Sequence, residues 1–117
     1  MSLNSFDIEY KGSLILENSV IAGNVKSDKD IYLKGMVMGN VHCTANLIIN
    51  RDAVIDGDVY CENLYTDGSI IGNVHVNHRS QMAANAVIKG YLITSCLSLH
   101  SEAIIEKGLK LKDKLKK

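Results

Sequence analysis

The sequence of 117 residues contains no proline and no tryptophan, and only one phenylalanine. Proline cannot donate a hydrogen bond to a β-ladder, so its absence fits a chain that is nearly all ladder, without a proline-rich linker. Aromatic residues make up 5% of the chain, and the apolar content is mostly valine, isoleucine and leucine, which suit strands. The composition therefore favours one domain built from short strands.

The sequence also lacks long hydrophobic runs and has few cysteines. No apolar stretch approaches the roughly 20 residues that a membrane-spanning helix needs. Residues 1–11 lack the basic region followed by an apolar run that marks a signal peptide. The three cysteines are an odd number without metal-binding spacing, which is typical of a reduced chain rather than of a disulfide framework. We therefore expect a cytoplasmic protein.

The net charge is zero, but the charges are unevenly distributed. Residues 107–117 hold six lysines and one aspartate, whereas the rest of the chain holds seven basic and twelve acidic residues. Binding to nucleic acid depends on neutralising phosphates, so the acidic body argues against a nucleic-acid partner. The basic segment is a solvated end, a contact with an acidic neighbouring chain, or a contact with anionic lipid, where each lysine contributes about 1 kcal/mol.

A short motif, glycine followed by asparagine or aspartate and then valine, recurs along the chain. Its copies lie at residues 23–25, 39–41, 57–59 and 72–74, with a weaker copy at 90–92. Continued to Gly108, the glycines are spaced 16, 18, 15, 18 and 18 residues apart, a mean of 17. Apolar residues alternate with a period of two on both sides of each glycine, which is the signature of strands. Each repeat therefore holds three short strands separated by corners.

Two folds could use this repeat. An antiparallel meander would use the glycine motif as hairpin turns, but three strands per repeat reverse direction each time, so equivalent residues would not stack. In a parallel coil each valine lies about 4.8 Å from the next, and identical side chains form ladders. We predict an all-β, parallel β-helix of about six turns over residues 12–108, with a short N-terminal tail (1–11) and a basic C-terminal tail (109–117). The uneven spacing breaks the six-residue frame of left-handed coils and favours a right-handed coil.

The repeat resembles that of the bactofilins, bacterial cytoskeletal proteins. The segment LIINRDAVIDGDV, residues 47–59, carries the whole pattern, and IYLKGMVMGNV, residues 31–41, is close to it. The resemblance covers about residues 12–108. It implies a right-handed β-helix that assembles into filaments without nucleotide, often on the inner membrane, with roles in cell shape and envelope organisation. It implies the chain itself as partner, then the inner membrane surface and envelope or cell-wall proteins, and no small-molecule substrate.

The histidines, cysteines and glycines that could form a catalytic, metal or nucleotide site are better explained by structural roles. His42 and His75 share an outward column but lie two turns, nearly 10 Å, apart, whereas zinc ligands lie about 2.1 Å from the metal. Cys43 and Cys61 share an inward column, where free cysteine acts as a small hydrophobe. No glycine segment leads into a helix with Gly-Lys-Ser/Thr, so no nucleotide loop is indicated. The sequence predicts a structural protein with no metal or cofactor, not an enzyme.

Neither end of the predicted coil carries a polar cap of the kind that solenoids use, so its edges are open to another chain. The candidate end-to-end assembly residues are Leu14, Leu16, Val20 and Ile21 in the first turn and Leu97, Leu99, Ile104 and Ile105 in the last. The candidate membrane or partner contacts are Leu3, Phe6, Lys110, Lys112, Lys114, Lys116 and Lys117. Two alternatives stay open: a β-helix scaffold that binds an envelope protein, and a left-handed β-helix enzyme of the acyltransferase or carbonic anhydrase type.

Overall fold

The computed structural model describes residues 2–3, 8–10 and 14–111, with side chains from residue 20 onwards. The chain is 65% strand, and the described residues contain no helix. The strands are β1 (Ser2–Leu3), β2 (Ile8–Tyr10), β3 (Leu14–Ala22), β4 (Val25–Ser27), β5 (Ile31–Met38), β6 (Val41–Ile49), β7 (Val54–Asp56), β8 (Val59–Thr66), β9 (Ser69–Ile71), β10 (Val74–Val76), β11 (Arg79–Met82), β12 (Val87–Ile88), β13 (Tyr91–Thr94), β14 (Cys96–Leu99), β15 (Ile104–Ile105) and β16 (Gly108–Leu111).

The strands pair in parallel with strands one turn away and form three stacks, which we name faces A, B and C. Face A contains β2, β4, β10, β13, β16 and the first parts of β6 and β8. Face B contains the first parts of β3 and β5, the last parts of β6 and β8, and β11 and β14. Face C contains β1, the last parts of β3 and β5, and β7, β9, β12 and β15. The parallel coil is confirmed and the meander is excluded, while right-handedness stays a prediction.

About five turns of roughly 17 residues make up the solenoid, and partial turns precede Gly23 and follow Gly108. The partial turns draw on segments that the sequence assigned to tails. Strands β1 and β2 pair with β3 and β4, and β16 continues to Leu111 beside β13. Paired backbone therefore continues beyond both predicted boundaries of the β-helix, 12 and 108.

The inward columns match the predicted register. The residues two positions after each glycine are 0–2% exposed: Val25, Val41, Val59, Val74 and Leu92. The residues two positions before each glycine are also buried: Ile21, Val37, Ile55, Ile70 and Ile88. The core admits small polar groups where they find partners: buried Ser80 Oγ lies 2.9 Å from buried Thr94 Oγ1 as its hydrogen-bond donor. No buried side-chain polar atom of the described residues lacks a partner.

The glycine corner needs glycine because successive turns approach closely there. Gly39 adopts a φ of 157°, in the left-handed half of conformational space that favours glycine. A Cβ atom added to Gly39 would collide with the carbonyl oxygen of Gly23, and one added to Gly57 would collide with that of Gly39. The glycine ladder is therefore the point at which the backbones of neighbouring turns touch.

A ladder of asparagine and aspartate side chains runs beside the glycine ladder. The backbone N–H of Asn40 donates to Asn24 Oδ1 at 2.8 Å, and that of Asp58 donates to Asn40 Oδ1 at 2.9 Å. Asn73 N–H donates to Asp58 Oδ1 at 2.9 Å, and Tyr91 N–H to Asn73 Oδ1 at 3.0 Å. Each side chain thus satisfies a corner N–H of the next turn, which explains why asparagine or aspartate recurs after the glycine.

Candidate assembly surface

The C-terminal end of the solenoid presents three open strand edges. Within the described chain, β14 pairs only with β11, β15 only with β12, and β16 only with β13. Such edges carry backbone N–H and C=O groups without a strand partner, and they can pair with a further strand. A further layer of strands can therefore pair with this end of the coil.

The core columns run into this last turn and become exposed there. Leu99 lies over Met82, yet Leu99 is 48% exposed and Met82 is 3% exposed. On face A, Leu109 is 45% exposed above the fully buried Leu92, and Leu111, above Thr94, is 57% exposed. These leucines stand in core positions with no described layer above them. The described part of the solenoid thus ends on a cross-section of its own hydrophobic core.

The remaining candidates of the last turn divide between two surfaces. Leu97 stacks on the buried Ser80 and Ile105 on the buried Ile88, so both are inward-column residues and only partly buried. Ile104 instead follows the outward column of Val87 and is 50% exposed on face C. Leu97, Leu99 and Ile105 therefore lie on inward columns of the last turn, and their role in end-to-end assembly stays a prediction. Ile104 lies on the side of the solenoid.

The N-terminal end is arranged differently from the expectation. Leu14 and Leu16 pair with Ile31 and Leu33, and no described strand pairs with the other edge of this part of β3. Val20 and Ile21 do not lie on an open edge, because β1 pairs with them. Ile21 is fully buried. Placing these two residues at the end was wrong, since the first residues of the chain add a further layer over them.

The predicted membrane or partner contacts are only partly described. Leu3 belongs to β1 and pairs with Ile21. Lys110 lies in β16 opposite Ile93 and is exposed on face A. The other candidates lie outside the described residues: Phe6, Lys112, Lys114, Lys116 and Lys117. Leu109 and Leu111 were assigned to the tail, but they lie in β16. Their alternation with lysines is the sequence signal that could have predicted this strand.

The histidine column has the predicted geometry. Tyr60 lies between His42 and His75, with ring centroids 4.9 Å from each. The tyrosine ring separates the two imidazoles, so they do not converge on one point. Among the residues that the structure describes, no group of three or more His, Cys, Asp or Glu side chains could hold a metal ion.

The two inward cysteines fill the core as free thiols. Cys43 and Cys61 stack directly in register and are fully buried. Cys43 Sγ lies 3.3 Å from the carbonyl oxygen of Lys29, to which it donates. Burial raises the pKa of the Cys43 thiol, and burial together with the neighbouring Cys43 raises the pKa of Cys61 further. Both thiols therefore stay protonated, a form that is a poor nucleophile.

Comparisons with known proteins agree with this architecture. A sequence profile of the bactofilin family, described as polymer-forming cytoskeletal, matches residues 13–110. No curated protein and no solved structure matches the chain. No helix with the length and apolar character to cross a membrane occurs among the described residues. With this match over most of its length, the chain belongs to the bactofilin family of polymer-forming cytoskeletal proteins.

Proposed function

We propose that the chain assembles into filaments by stacking its solenoids end to end, and that these filaments support cell shape or envelope organisation. The observation that carries the proposal is the exposed core cross-section formed by Leu99, Leu109 and Leu111. In a filament these side chains occupy core positions, and the open edges of the last turn gain strand partners. Self-association is what the family's polymer-forming character implies.

Burial of the exposed apolar side chains would stabilise the junction. Fully burying a leucine side chain contributes about 1.5–3 kcal/mol, and Leu99, Leu109 and Leu111 are each about half exposed. Each therefore contributes roughly 1 kcal/mol when a second solenoid covers it. The partly exposed Leu97 and Ile105 add to this, as do the backbone hydrogen bonds of three strand edges. A junction of this kind needs no chemical energy source, so we propose assembly without nucleotide.

The test compares one substitution at the end with one on the side. Leu99→Lys places a charge on the end cross-section, where a stacked solenoid would bury it among apolar side chains, which is unfavourable. Because contacts in a solenoid reach only neighbouring turns, we expect a folded, soluble protein that no longer pellets as filaments. Tyr60→Lys puts the same charge on face A, where Tyr60 is 36% exposed, and should leave filaments intact.

Both variants are examined by sedimentation, negative-stain microscopy and circular dichroism, with and without ATP or GTP. Wild-type filaments should form in buffer alone, to the same extent with either nucleotide. Normal filaments from Leu99→Lys, with loss of filaments in Tyr60→Lys, would move the junction to the sides. A wild-type chain that stays monomeric at high concentration would refute assembly altogether.

We also propose that the filaments act at the inner face of the cytoplasmic membrane, where envelope or cell-wall proteins are their further partners. The support is the excess of lysine in residues 107–117, since lysines near an anionic surface contribute about 1 kcal/mol each. Filaments should co-sediment with anionic vesicles and not with zwitterionic ones. Equal binding to both kinds of vesicle would contradict an electrostatic contact.

A further inference from the structure

Face C is apolar over much of its outer side. Its outward positions include Val20 at 38%, Met38 at 47%, Ile71 at 41% and Ile104 at 50% exposure. Met36, Val54 and Val87 lie between them in the outward column and are partly exposed. Contiguous exposed apolar surface of this kind marks an interaction site.

Three charged side chains interrupt this surface, all in the second outward column, one residue before the glycine corner. Asp56 and Ile71 occupy successive levels, and Lys89 follows Ile88 one level further on. Glu106 follows Ile105 at the next level, and its Oε2 lies 3.6 Å from Lys89 Nζ. An acidic and a basic residue therefore lie at equal distances on either side of Ile71.

We propose that face C binds face C of a second copy of the chain, antiparallel, about a two-fold axis at the level of Ile71. In this arrangement Ile71 of one copy meets Ile71 of the other. Asp56 of each copy faces Lys89 of the other, one level from the axis. In the first column Val54 meets Val87, and two levels from the axis Met36 meets Ile104.

The charges select this orientation over the parallel one. A two-fold axis along the solenoid would set the two outward columns against each other at equal height. Asp56 would then face Val54, and Lys89 would face Val87, so both charges would lie against apolar side chains of the other copy, which is unfavourable. The antiparallel arrangement instead sets Asp56 against Lys89 and Val54 against Val87, while Glu106, opposite Met38, keeps its ion pair with Lys89.

The size of the surface links this contact to filaments. Six levels about 4.8 Å apart, with two outward residues on each strand, cover on the order of 25 Å by 10 Å. One such contact is far below the roughly 1,600 Å² of a standard stable interface. Repeated along a filament the contacts add, as in other multivalent binding. The inference thus rests on the proposed end-to-end assembly, and its product is a pair of filaments running in opposite directions.

The test is site-directed cross-linking in a Cys96→Ser background, which removes the exposed thiol and leaves the two buried ones. Ile71→Cys places a thiol at the two-fold axis, and Met38→Cys places one on the same column with similar exposure. Packed sheets lie about 10 Å apart, beyond the α-carbon separation of about 7 Å that a disulfide tolerates, so a short bis-maleimide is the reagent. Met38 lies opposite Glu106 in the proposed register and far from its own equivalent.

We expect a covalent dimer from Ile71→Cys and none from Met38→Cys. Pelleting is scored separately on the same samples. Filaments that pellet without a cross-link at position 71, or that cross-link equally at both positions, overturn the lateral pairing and leave the end-to-end assembly standing. A cross-linked dimer that never pellets overturns the end-to-end assembly and supports the pairing, and the absence of both overturns both.

Discussion

Val59 lies at the centre of the inward column of face A, directly between Val41 and Val74, and is 2% exposed. Val59→Asp would bury a carboxylate without a partner at a cost of several kcal/mol. Since domains are stable by only about 5–15 kcal/mol, we expect an insoluble protein or one with a much lower melting temperature. Solubility and thermal melting followed by circular dichroism measure this.

The neighbouring Tyr60 provides the control at the residue scale. It points outward between His42 and His75, so Tyr60→Ser should cost less than about 1 kcal/mol. A soluble Val59→Asp protein with an unchanged melting temperature would mean that the inward and outward positions of this strand are reversed.

At the scale of the turn, glycine can be required at the corner for two reasons: close approach of the neighbouring backbone, or a left-handed φ. Gly57 has no left-handed φ, yet an added Cβ would collide with the carbonyl oxygen of Gly39. Gly108 has a φ of 144°, but its nearest atom would be a Tyr91 ring carbon at 3.6 Å. Gly57→Ala should therefore lower the free energy of unfolding by about 1–3 kcal/mol, because the backbones of two turns must separate.

Gly108→Ala is the matched variant, strained in φ and without the collision. In the last turn a shift of the backbone disturbs one neighbour instead of two, so we expect the smaller loss in urea denaturation. The reverse order would mean that the left-handed conformation, and not close approach, is what the corner requires of glycine.

At the scale of the whole molecule, the inward columns were predictable because burial alternates with a period of two, as at Val41 and Cys43. The layer over Val20 and Ile21 was not predictable, since residues 2–3 lack the glycine motif. Where a strand carries apolar residues on both sides, the alternation of apolar and polar residues cannot show which side faces the core. The adjacent residues Ile104 and Ile105 are identical in the sequence, although Ile104 points outward and Ile105 points inward.

The exposed core cross-section at one end also bears on the length of the polymer. A Leu99→Lys chain keeps its N-terminal end unchanged, because contacts in a solenoid reach only adjacent turns. Such a chain should join a growing filament through that end and then act as a chain terminator. A minority of Leu99→Lys protein mixed with wild type should shorten the filaments seen by microscopy, whereas the same fraction of Tyr60→Lys should not. Unchanged filament lengths would mean that chains do not add to the filament through the last turn of the solenoid. Blocking that turn would then not limit the length of the polymer.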